Sequence, residues 1–209
     1  MFRFTLFRIP VEVQPFFWVT MVLVGGVNGI DSGRGIFKIL LFILAGFISI
    51  LVHELGHALT ARKYGASVHI VLQAFGGYAA YSGKHMSRLQ SFLITAAGPA
   101  IQIVLGLVAY FALQSLPNLN ETGSHFLAML AVISIFWAVL NLLPVLPLDG
   151  GRMLESILGP ARFRITLWTT IIVGVGAGMF LLTKSIIFPI ILGMSAWQAF
   201  QALQENRRF

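Results

Sequence analysis

The sequence predicts an all-α polytopic membrane protein. About six transmembrane helices are expected, with a short membrane-associated β segment between helices two and three. Three observations carry this. Of the 209 residues, 57% are hydrophobic and only 10% charged, too few charges to cover a soluble domain of this length. Apolar runs of spanning length recur along the chain. The basic residues fall between those runs, with a strong bias to alternate loops. Residues 1–209 therefore read as one integral-membrane domain in a lipid bilayer, with no room for a sizeable soluble domain beside it.

A spanning helix needs about 20 mostly apolar residues. Arg3 and Arg8 precede the first apolar run and could mimic a secretory signal. Pro10, Glu12 and Pro15 interrupt it and no small-residue cleavage site follows, so the first span is read as retained, over 16–30. It is short and weakened by Gly25, Gly26 and Asn28. The next spans are expected over 39–60, 89–113, 126–143, 165–183 and 186–203. Only Lys184 and Ser185 separate the last two, which predicts a tight helical hairpin. Gly174, Gly176 and Gly178 in the fifth span suit close helix packing, and Met153, Met179 and Met194 read as packing residues.

With six spans, one side of the membrane receives Arg3, Arg8, Arg62, Lys63, Lys84, Arg88, Arg152, Arg162, Arg164, Arg207 and Arg208. The other receives Arg34, Lys38 and Lys184. The asymmetry puts both termini in the cytoplasm, and Arg207-Arg208 reads as a lipid-facing anchor. It also accounts for the net charge of +7 without nucleic acid as a partner. There are no cysteines, which excludes disulfides, thiolate metal sites and a cysteine nucleophile. Nothing in the sequence specifies an oligomeric state.

Residues 67–81 break the helical pattern. They are β-branched, aromatic and interrupted by Gly76-Gly77, which reads as a turn or kink between two short strands. An ordinary cytoplasmic loop is the competing reading.

The chemistry centres on Leu51-Val-His53-Glu54-Leu-Gly-His57. Histidines four apart on a helix share a face, so both imidazoles can bind one Zn²⁺. The glutamate between them sits where it can take a proton from bound water. The motif is short and chance matches are common in soluble proteins, but here it lies in the last part of an apolar helix. Ionisable groups there are costly and usually mark function. The alternative is that the three merely pair with one another or with other helices.

A catalytic zinc needs three protein ligands and an open position. Glu12, Asp31, Glu121 and Glu205 lie near termini or loops. Glu155 and Asp149 follow the fourth span, on the side where helix two ends. Asp149 belongs to Asn141-Leu-Leu-Pro144-Val-Leu-Pro147-Leu-Asp149-Gly-Gly-Arg152. Its prolines oppose a regular helix and its glycines permit a close turn. Taken alone, that segment reads as a plain turn.

The two motifs together resemble the site-2 protease family of intramembrane metalloproteases. Phe7-Arg-Ile-Pro-Val-Glu-Val and Phe16-Phe-Trp resemble a branch of that family that includes a sporulation protease. The resemblance covers nearly the whole chain. It implies zinc bound by His53, His57 and Asp149, with Glu54 as catalytic acid/base. It implies an active site within the membrane towards the cytoplasm, in a bacterial cell membrane, that cuts membrane-anchored protein substrates. Family members often carry PDZ or nucleotide-binding CBS domains; neither is found in this chain, so control by them in cis is not expected. Gln102, in Ala97-Gly98-Pro99-Ala-Ile-Gln102, stands where relatives often place Asn.

Asn141 has two readings, an oxyanion donor or a partner for backbone freed near Pro144. A substrate helix must unwind before its carbonyls are accessible, and a strand edge flanking Gly76-Gly77 could pair with the unwound segment. His69, His85 and His125 are expected in solvated loops. The competing functions are a prenyl-protein protease, whose third ligand is usually a glutamate, and a non-proteolytic zinc-binding membrane protein or metal transporter. A transporter would usually need polar residues through both leaflets, and here they cluster on one side.

Overall fold

The computed structural model describes residues 1–25, 32–74, 76–83, 85–116, 118–183 and 186–205. The end of the expected first span (26–30), Asp31, Phe75, Lys84, the Lys184–Ser185 link, Arg207 and Arg208 lie outside the described residues. The elements are β1 (Phe2–Leu6), β2 (Ile9–Val13), α1 (Pro15–Gly25), α2 (Gly33–Lys63), β3 (Ser67–Gln73), β4 (Gly76–Ser82), α3 (Arg88–Ser115), α4 (Glu121–Asn141), α5 (Asp149–Leu158), a 3-10 turn (Pro160–Arg162), α6 (Phe163–Leu181) and α7 (Ile187–Glu205). They form two compact units, Met1–His85 with Ala97–Ala138, and Met86–Ala96 with Val139–Phe209.

The chain is mostly helical. Among the described residues, four helices are long and apolar enough to cross a membrane: Gly33–Lys63, Arg88–Ser115, Glu121–Asn141 and Pro160–Leu181. These correspond to the expected second to fifth spans. The helix at the first expected span, α1, has 11 described residues, fewer than the roughly 20 a crossing needs. α7, at the sixth, is not among the four.

In the first unit the expected strand pair is one half of a larger sheet, ordered β1-β2-β3-β4. β1 and β2 pair antiparallel, β2 and β3 parallel, and β3 and β4 antiparallel. The two N-terminal strands were not anticipated, although Ile9, Val11 and Val13 alternate with Pro10 and Glu12 as a half-buried strand should. All three apolar residues are buried. The β1–β2 hairpin turns at Phe7 and Arg8, with φ of 51° and 61°. A two-residue hairpin turn of this hand needs positive φ at both central positions. Side chains are strained there; Arg62, at the end of α2, donates to the Phe7 carbonyl.

Gln73 pairs with Gly76. Gly76 and Gly77 therefore open β4 instead of forming the turn as expected. The inward residues of β2 and β3 join Phe17 and Met21 of α1 and Leu51, Leu55 and Ala58 of α2 in one apolar core. A helix advances about 100° per residue. The face bearing Leu51, Leu55 and Ala58 is thus distinct from the face bearing Ser49, His53 and His57. The sheet packs on the first face and leaves the second for other helices.

In the second unit, the segment after α4 curls over the first turn of α5. A Cβ on Gly150 would lie 2.2 Å from the Leu142 carbonyl oxygen, and one on Gly151 would lie 2.5 Å from the Leu146 nitrogen. The Asp-Gly-Gly run is therefore the start of a helix crossed by its own upstream backbone, where only glycine fits, and not a plain turn. Thr170 of α6 accepts from the Leu146 amide at 3.1 Å. Arg88 donates to the Ser156 and Ile157 carbonyls at the end of α5. α6 and α7 pack against each other, with Gly174 and Gly178 at the contact. Gly176 faces open space, contrary to the expectation that all three glycines serve packing. Met179 and Met194, expected to pack, are exposed.

Candidate metal and catalytic centre

The motif helix is regular through 31 residues, so His53 and His57 do share a face. Their Nε2 atoms lie 3.0 Å apart and their rings are near perpendicular. Two nitrogens bound to one tetrahedral zinc at about 2.0–2.1 Å lie about 3.3 Å apart. The pair therefore converges as two ligands of a single ion would, and the donor chemistry fits zinc.

Both histidines are buried, as is Glu54. His53 Nδ1 lies 2.9 Å from Gln102 Oε1 of α3. Gln102 Nε2 donates to Ser49 Oγ at 2.9 Å and towards the Ser49 carbonyl at 3.4 Å. Ser134 of α4 donates to Ser49 Oγ at 2.9 Å. Gln102, noted in the sequence only as a departure from an asparagine, is thus a direct partner of a motif histidine.

Two glycines make this approach possible. A Cβ on Gly56 of α2 would lie 2.6 Å from the Ala97 carbonyl oxygen, so the α2 and α3 backbones meet there. A Cβ on Gly98 of α3 would lie 2.2 Å from His57 Nε2. Gly98 therefore leaves the space in which the imidazole presents its nitrogen. The Gly98-Pro99 pair within an apolar run was the available signal, because such a helix interior otherwise disfavours both residues.

Glu54 points away from α3 towards the sheet. A Cβ on Gly77 would lie 2.8 Å from Glu54 Cγ and 3.0 Å from its Oε1. Gly77, the second residue of β4, thus lies directly against the glutamate, and β4 is an edge strand of the sheet.

Asn141, Asp149 and Glu155 belong to the second unit. Asn141 is the last residue of α4 and half-buried. Asp149 is the first residue of α5 and half-buried. Glu155 is exposed on the same helix. His69 and His85 are exposed as expected, on β3 and in the loop before α3. His125 is instead within α4 and half-buried, not in a solvated loop.

The family model of Peptidase family M50 matches residues 41–122 and 116–184. A zinc metalloprotease of Methanocaldococcus jannaschii is 33% identical over 156 residues, covering 74% of this chain and 44% of that protein. The stage IV sporulation protein FB of Bacillus subtilis is 29% identical over 198 residues, covering 91% of this chain and 62% of that protein. This chain therefore spans less than two thirds of either relative. Among solved structures, the site-2 protease from Methanocaldococcus jannaschii matches with a TM-score of 0.65 and 27% identity, covering 96% of this chain and 94% of that one.

Proposed function

We propose that this chain, which belongs to Peptidase family M50, is an intramembrane zinc endopeptidase working as a single membrane domain. The observation that carries the reading is the pair of Nε2 atoms 3.0 Å apart on a buried face of a membrane-length helix, with Glu54 on the next face. His53, His57 and Asp149 are the ligand set; two imidazoles and one carboxylate leave a catalytic zinc its open position. Glu155, which a prenyl-protease reading would use, is exposed.

When bound, the ion supplies Lewis acidity to water and to the scissile carbonyl. Glu54 takes the proton of the attacking water on a carboxylate oxygen and delivers it to the departing amine nitrogen. Burial in an apolar helix keeps bulk water from that carboxylate. Asn141 is the candidate donor to the developing oxyanion.

The substrates are transmembrane segments of membrane-anchored proteins. Such a segment must unwind to expose a carbonyl, and its freed backbone then needs partners. The edge of β4 offers them by strand addition. Because Gly77 crosses Glu54, a segment paired along the strand that Gly76 and Gly77 open would carry its carbonyl past the catalytic carboxylate. Six spans with both termini cytoplasmic complete the proposal, on the distribution of Lys and Arg.

The test is metal content and cleavage of a membrane-anchored reporter by the purified chain in reconstituted vesicles. His53→Ala, His57→Ala and Asp149→Ala should each lose zinc, while Glu54→Gln should keep zinc and lose turnover. Full zinc in Asp149→Ala, or turnover in Glu54→Gln, would overturn the assignment.

A further inference from the structure

We infer that Gln102, held by Ser49 and Ser134, is a positioning residue that sets the tautomer and orientation of His53. The inference rests on the reading of His53 as a metal ligand. It concerns three helices that meet at one buried point: Ser49 on α2, Gln102 on α3 and Ser134 on α4, each with no exposed surface.

The direction of each hydrogen bond follows from what the groups can do. An amide has donors only on nitrogen and acceptors only on oxygen. Gln102 Nε2 faces the Ser49 backbone carbonyl, which can only accept, and the Ser49 hydroxyl oxygen. That turns Oε1 towards His53 Nδ1, at 2.9 Å. An oxygen acceptor there requires the imidazole proton to be on Nδ1. The lone pair is then on Nε2, the atom that faces His57 Nε2.

The serines matter because the amide could otherwise turn over. A reversed amide would present its NH₂ to Nδ1, require a lone pair there and move the proton to Nε2. That nitrogen would no longer be a ligand. In an apolar bundle a polar group left unsatisfied is costly, so the two serines hold the amide one way round. Ser134 completes the lock by donating to Ser49. Partners of this kind on a ligating histidine typically alter metal affinity by about 10–100-fold.

The test uses the purified full chain in detergent micelles, with zinc affinity measured by competition against a chromophoric chelator. Gln102→Leu should bind zinc about 10–100-fold more weakly. Gln102→Glu, which keeps an acceptor at Nδ1, should recover most of that loss. Ser49→Ala should weaken binding by a smaller factor, and should add little on the Gln102→Glu background, because both oxygens of a carboxylate accept. A second readout needs no metal. In the zinc-free protein, ¹⁵N spectra of labelled histidine should show His53 protonated at Nδ1 in wild type and in Gln102→Glu. Gln102→Leu and Ser49→Ala should populate the Nε2-protonated form. Wild-type affinity and an unchanged tautomer in Gln102→Leu would overturn the inference, as would Gln102→Glu binding as weakly as Gln102→Leu. His53→Ala separates the two levels. Zinc retained there would remove the ligand reading itself, whereas zinc lost there but kept in Gln102→Leu would remove only the role of Gln102.

Discussion

Two of the helix contacts built on glycine, α2 with α3 and α6 with α7, use it differently. Where α2 meets α3, Gly56 admits a carbonyl and Gly98 admits an imidazole; a Cβ at either would sit within 2.6 Å of its neighbour. Where α6 meets α7, a Cβ on Gly174 would lie 3.2 Å from the Leu192 carbonyl oxygen, and one on Gly178 would have nothing nearer than 3.8 Å. Lipid-embedded helices gain little from the hydrophobic effect, so close van der Waals contact holds them together. The α6–α7 glycines serve that end. Gly56 serves it too, but Gly98 serves a second one, because the room it leaves is filled by the His57 imidazole.

The contrast can be broken by adding one methyl group at a time. The largest effect is expected for Gly98→Ala. Its Cβ would occupy the place of His57 Nε2, and neither the α3 backbone nor a ring held by its own helix can yield by an ångström. Zinc content should fall to background and cleavage by about a hundredfold or more, since a 1 Å misplacement alone can cost that much. Elemental analysis and a reporter cleavage assay on the same preparation measure both.

Gly77→Ala should come next and should separate the two. Its Cβ meets Glu54 Cγ at 2.8 Å and Leu72 Cδ2 at the same distance. The glutamate side chain can move, so the protein should fold and keep its zinc, but its carboxylate would be displaced. Cleavage should drop by about 10–100-fold with metal content unchanged. Loss of zinc in Gly77→Ala would mean that the strand supports the histidines and not the glutamate.

Gly174→Ala should cost stability and not chemistry. A 3.2 Å contact with a backbone oxygen forces a small shift of the helix pair, at about 1 kcal/mol, read as a lower midpoint of denaturant unfolding in micelles. Cleavage per folded molecule should stay within about twofold, because the one motif atom near that contact, Val145 Cγ1, would be at an ordinary van der Waals distance of 3.7 Å. If Gly174→Ala silenced the enzyme as Gly98→Ala does, the distinction between the two contacts would fall.

The smallest effect belongs to Gly178→Ala. Its contacts are of ordinary van der Waals length, and alanine favours helix over glycine by up to about 1 kcal/mol. Stability should be unchanged or slightly raised, by less than about 1 kcal/mol, in the same unfolding measurement. A marked loss would mean that the α6–α7 contact is tighter than its glycine geometry indicates.

Some of what the sequence left unread was legible in it. Gly174 and Gly178 are four apart and share a helix face, while Gly176 is turned away from both, so the outward direction of Gly176 followed from periodicity. The alternation of Phe2, Phe4 and Leu6, and of Ile9, Val11 and Val13, is a strand pattern of period two, which composition over spanning lengths does not register. The Gly76–Gly77 turn was misplaced because glycine marks both turns and close approach. Here the approach to Glu54 is what needs it at Gly77.

By itself the sequence determined the motif helix, the common face of His53 and His57, the neighbouring place of Glu54, and most of the helix boundaries. These depend on a 3.6-residue period and on composition over a few turns, which are local properties. Only the tertiary structure decided that Gln102 meets His53 across 49 positions, that Ser49 and Ser134 orient it, that Gly98 opens the space before His57, and that β2 joins β3 in parallel. Each of these is a contact between segments far apart in the chain. Which partners meet there depends on how helices and strands pack, and no local period encodes that.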